Sequence, residues 1–147
     1  MNREMNYENA CNRYPIKRID EAVKDLKHGR KLYPDHTTPF DDDSRFARQN
    51  AIDYFRYLSA GKPEAIDENI LAELHQSLFD CDAAVRLAAA QTLGILSRKV
   101  SLTALQELQS IESESSWVKM AIEEAVKAIN GTLDLSVAKF VKDPSTI

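Results

Sequence analysis

The stretch from Asp80 to Leu96, DCDAAVRLAAAQTLGIL, constrains the fold more than any other part of the chain. Its apolar and small residues fall at Val85, Ala88, Ala89, Thr92, Leu93 and Leu96, the spacing of one face of an α-helix. Alanine on that face lets a neighbouring helix come close. Asp82 precedes the run as an N-cap candidate, since a short side-chain oxygen can accept from first-turn amides that have no helical partner. Weaker copies flank it. Residues 42–51, DDSRFARQNA, lead to Phe55 and Leu58, and residues 113–122, SESSWVKMAI, lead to Val126 and Ile129. With Ala47, Val85 and Val118 taken as equivalent, the copies are spaced by 38 and 33 residues. Ser44 and Ser115 (or Ser116) are the corresponding caps.

Partner helices are expected between the copies. Ile66, Ile70, Leu71, Leu74 and Leu78 recur at helical spacing across about 64–79, and Leu102, Leu105, Leu108 and Ile111 across about 101–112, with Ser101 as cap. The short connectors 80–82, 98–100 and 113–115 imply antiparallel pairs. Gly61-Lys62-Pro63 closes the first copy, because glycine suits a C-cap and proline cannot continue the helix. Ile16, Ile19, Val23 and Leu26 stripe a capping helix near 16–31, followed by a loop around 33–39. After Gly131, Leu133, Val137, Phe140 and Val141 predict a short closing helix, with residues 1–12 and 143–147 frayed. The expected fold is all-α: a short right-handed α-solenoid of about three helical hairpins with N- and C-terminal capping helices. Its parts are an N-terminal segment (1–40), the repeats (41–131) and a C-terminal cap and tail (132–147), in one domain.

The net charge of −4 conceals an asymmetry. Residues 1–34 carry eight Lys/Arg and five Asp/Glu (+3), and residues 35–147 carry eleven and eighteen (−7), which together restore −4. An acidic body argues against the basic footprint of a nucleic-acid binder. Only Lys17, Arg18, Lys24, Lys27, Arg30 and Lys31 could serve one, and they equally solvate a helix face. The polar N-terminus has no apolar signal-peptide core, and Arg86, Gln91 and Thr92 interrupt the longest apolar stretch, so no membrane partner and a reduced, cytoplasmic setting are expected.

The pattern Asp80-x-Asp82-x-x-Val85-Arg86-x-x-Ala89-x-x-x-Leu93-Gly94-x-Leu96 resembles the turn and second helix of a HEAT repeat. The short period is similar to the HEAT-like repeats of phycobilisome bilin lyases, and the resemblance covers about residues 40–130. It implies that second helices line a concave surface and that an Asp/Arg pattern ties successive repeats. Arg48 and Arg86 match that arginine, Lys119 is a weakened match, and Asp82 matches the acid. Ser115 replaces the acid in the third copy.

No catalytic constellation stands out, and no metal or cofactor is expected. Cys81, between Asp80 and Asp82, reads as a small turn residue, because flanking carboxylates work against a reactive thiolate. Cys11 reads as equally inert. His36 with Asp41, Asp42 and Asp43 lacks the glycine turn and alternating ligands of a calcium loop. His28 and His75 stand alone. Glu112, Glu114, Glu123 and Glu124 fall on polar faces or at a turn, without the paired pocket that acid–base chemistry needs. Phe46 and Trp117 occupy first-turn positions matching Ala84. They are either wedged between repeats or exposed as interface anchors.

The candidate partner-binding face comprises Gln49, Asp53 and Tyr57, then Leu87, Gln91 and Ile95, then Met120 and Glu124, with Lys127 beside them. Leu87, Ile95 and Met120 make it more apolar than solvation requires. A competing assignment has these residues meeting the first helices of the next repeat. The functional expectation is a non-catalytic interaction or scaffold module that binds another protein on the concave face. The alternative, resting on resemblance alone, is an accessory subunit or relative of a bilin lyase acting on phycobiliproteins.

Overall fold

A computed structural model of the chain describes residues 18–39 and 42–131. Among these residues there are six α-helices and no strand, apart from one isolated bridge between Leu32 and Asp80. The helices are α1 (Ile19–Lys27), α2 (Ser44–Gly61), α3 (Glu68–Ser77), α4 (Ala83–Leu96), α5 (Leu102–Gln109) and α6 (Ser116–Asn130). Short 3₁₀ turns at Pro63–Ala65 and Lys99–Ser101 lead into α3 and α5. The all-α expectation holds. The closing helix on Leu133, Val137, Phe140 and Val141, the frayed ends, Cys11, Ile16, Lys17 and Asp41 lie outside the described residues.

Helix ends follow local chemistry, with corrections to three of the expected caps. Ser115 caps α6, accepting from the Trp117 amide. Asp82 holds the N-cap position of α4 but makes no cap bond, and its carboxylate accepts from Gln49 instead. Ser44 lies inside α2, where its amide and hydroxyl both donate to Asp42. The Ser101 side chain also leaves its helix uncapped and pairs with His75 Nε2 at 2.8 Å. Asp67, not singled out from sequence, caps α3 through Ile70 N–H. Gly131 ends α6 in the left-handed conformation, as a C-cap glycine should.

The α-helical spacing of apolar side chains assembles one core. It runs from Ala22 and Leu26 through Ile52, Phe55 and Leu74 to Val85, Leu93, Leu108 and Ile122. Burying each large side chain contributes roughly 1.5–3 kcal/mol. The principal packing pairs are α1 with α2, α3 with α4 and α5 with α6, together with α2 against α4 and α4 against α6. Helix α1 also packs on α3.

Contacts along the even-numbered helices fix their direction. Near the start of α2, Arg48 reaches Asp80 just ahead of α4, and two turns later Arg56 reaches Gln91. Near the start of α4, Arg86 reaches Glu114 ahead of α6, while its end donates through Ser97 Oγ to Ala128 O. Both series advance the same way, so α2, α4 and α6 lie parallel with α4 in the middle. Gly94 permits a close approach of α4 to α6: a Cβ there would sit 3.0 Å from Ala125 Cα.

Candidate functional site

Two buried ion pairs position these helices. Arg48 Nε donates to Asp80 Oδ2 at 2.8 Å with both side chains sealed from solvent. The guanidinium also donates to His28 O and Ser44 Oγ. Arg86 grips Glu114 through two bonds of 2.7 and 2.9 Å, donates to Asp80 O, and lies 3.7 Å from the centre of the Tyr33 ring. Tyr33 OH bonds Ser113 Oγ, so the α1–α2 loop reaches the turn before α6.

Buried arginine–acid ties between these helices therefore exist, in a different register from the one expected. Asp80, two residues before Asp82, takes the arginine of α2, because the Asp82 amide donates to Asp80 Oδ1 and holds that carboxylate inward. Glu114, expected to be solvated, is buried and supplies the acid whose absence was inferred from Ser115. Burial pushes the Asp80 carboxyl above the ordinary carboxylate range, against the pull of the Asp82 amide and of Arg48. Burial likewise holds the His75 imidazole below its ordinary value. The Asp42 carboxyl, at the surface, is lowered chiefly by the Ser44 hydroxyl.

Because α4 is flanked on both sides, only a narrow strip of it faces outward. Ala84, Gln91 and Ile95 are exposed and Leu87 is half-buried, at steps of three and four residues. The 38- and 33-residue offsets place Phe46, Gln49, Asp53 and Tyr57 on the matching strip of α2, and Trp117, Met120, Glu124 and Ala128 on that of α6. Gln49, Asp53, Tyr57 and Glu124 are half-buried, whereas Met120 is exposed. The eight residues of the candidate face are carried by α2, α4 and α6; Gln91, Ile95 and Met120 are exposed and the other five are half-buried. Gln91, Ile95 and Met120 are covered by no other described helix, unlike residues meeting a following repeat.

Phe46 and Trp117 are not wedged between layers. They are 49% and 71% exposed, at matching corners on either side of Ala84. The face thus has two outer apolar rows, Phe46–Ala84–Trp117 and Tyr57–Ile95–Ala128. Between them lie the mixed row Gln49–Leu87–Met120 and the polar row Asp53–Gln91–Glu124. Arg56, missed in the sequence, stitches the polar row by donating to Gln91 Oε1 at 2.7 Å and pairing with Asp53 at 3.1 Å. Its spacing of three from Asp53 was the available signal.

Other candidates gather into no reactive centre. Cys81 is buried, accepts from the Thr38 hydroxyl, and lies 3.5 Å from Arg48 Nη2. Among the described residues no group of three His, Cys, Asp or Glu could hold a metal ion. Among them, too, no helix is long and apolar enough to cross a membrane. Set against known proteins, the chain matches no family model, no curated protein and no solved structure.

Proposed function

We propose that this chain is a short HEAT-like α-solenoid that binds another protein, without catalysis of its own, through the joined strips of α2, α4 and α6. One observation carries the reading. Three parallel helices, held in register by buried ion pairs, present Phe46, Ile95, Trp117 and Met120 to solvent on one face. Trp117, Met120, Phe46 and Ile95 are respectively 71%, 54%, 49% and 46% exposed, although large apolar side chains are normally buried. Aromatic and methionine side chains are also those enriched where proteins meet. Serial stacking of paired helices supports the solenoid reading, since each layer touches mainly its neighbours.

Affinity capture from native cells tests the reading when run against variants. Leu87→Asp or charge reversal at Glu124 should lower recovery of the specific partner by about tenfold, while Glu107→Lys on α5 leaves it unchanged. Helical circular dichroism should remain that of the parent. Equal recovery with all three variants would place the binding surface elsewhere.

A further inference from the structure

We propose that the occupant of this face is an amphipathic helix bearing lysine or arginine along the border of its apolar stripe. The inference rests on the interaction reading above and adds the partner's chemistry. The dimensions suit a helix. Each strip spans about 16 Å along its helix axis, and three neighbouring helices cover roughly 18 Å between outer axes. One helix about 10 Å in diameter fits across that area over some three turns.

The side chains specify its two faces. Leu87, Ile95 and Met120 run along the middle and far end of the surface, and Phe46 and Trp117 stand at its corners. They suit leucine- or isoleucine-sized side chains set three and four residues apart.

Charge selects the sign of the border. Two cations on and beside the polar row are engaged within the protein: Arg56 by Asp53 and Gln91, and Lys127 by Glu123. Arg45 lies over the Phe46 ring at one corner. Two carboxylates differ. Among the described residues, Asp82 meets the neutral amide of Gln49 and no cation, and Glu124, half-buried beside Met120, has no cationic partner. A docked helix would remove both from water, and a buried carboxylate needs a charged or hydrogen-bonding partner. Lysine or arginine supplies it; aspartate or glutamate would add repulsion. The −7 charge of residues 35–147 steers the same class of partner.

Trp117 is the only tryptophan of the chain, so its emission reports occupancy of the face. The full chain is titrated with a tryptophan-free leucine–lysine amphipathic peptide of about 15 residues, or four turns. A leucine–glutamate peptide of identical spacing and a scrambled leucine–lysine peptide are run in parallel. The expected result is a saturable blue shift with the first peptide, about tenfold tighter than with either control. Ile95→Asp should abolish the shift, and Glu124→Lys should reduce the preference for the basic peptide about tenfold, both with unchanged circular dichroism.

Equal affinity for the acidic or scrambled peptide overturns the proposal, as does a silent Trp117 with all three. So does a Glu124→Lys variant that keeps the full preference. If the peptides fail while Leu87→Asp still lowers capture of the native partner about tenfold, the interaction reading stands and only the basic helix is lost. Failure of both removes the face itself.

Discussion

Asp80 and Asp82 lie two residues apart in the same turn, yet among the described residues only Asp80 meets an arginine. Removing one member of a buried pair strands a charge and costs about 3–5 kcal/mol, whereas a half-exposed carboxylate bonded to a neutral amide contributes about 1 kcal/mol. Asp80→Ala should therefore lower unfolding stability by about 3 kcal/mol and Asp82→Ala by about 1 kcal/mol in urea titrations. Equal losses would mean that both acids share the arginine. The raised Asp80 carboxyl shows that this pair is costly to desolvate. Its clearest contribution is register: Arg48 can satisfy its fork only when α2 and the turn before α4 stand in this alignment. Arg86 and Glu114 repeat the device between α4 and α6.

At the scale of helices, the alanine-rich run of α4 is matched by close packing on both flanks. Gly94 stands against Ala125, with too little room for a larger side chain. Gly94→Ala gains about 1 kcal/mol of helix propensity but meets backbone, and overpacking costs about 1–3 kcal/mol. Gly94→Val combines the clash with a β-branched side chain. It should destabilise the protein by about 2 kcal/mol or more in thermal unfolding, and unchanged stability would disprove the tight approach. The equivalent edge of α6 is different: Glu123 and Lys127 occupy the positions of Ala90 and Gly94, and pair with each other at 3.1 Å.

Much of this was legible in the sequence. The helices were readable because apolar side chains at steps of three and four must share a face. Outward positions such as Gln91, Ile95 and Met120 are residues left over from that face. What sequence could not decide was which of two nearby acids turns inward, since that depends on the Asp82 amide folding back onto Asp80. Glu114 was misread for a related reason. Its place beside a serine in a polar turn resembles a solvated site until Arg86 arrives from α4. First-turn aromatics were ambiguous too, because the exposure of Phe46 and Trp117 depends on neighbours distant in the chain.

For the whole molecule, parallel neighbours make one broad face from three narrow strips, and the proposed binding depends on that order. Spin labels at Asp53→Cys, Gln91→Cys and Glu124→Cys, with Cys11→Ser and Cys81→Ala in the background, measure it through three pairwise distances. Neighbouring helix axes are about 8–10 Å apart, so serial stacking predicts similar values for 53–91 and 91–124 and about twice that value for 53–124. Three comparable distances would describe a closed bundle, with no shared face for a partner to cross.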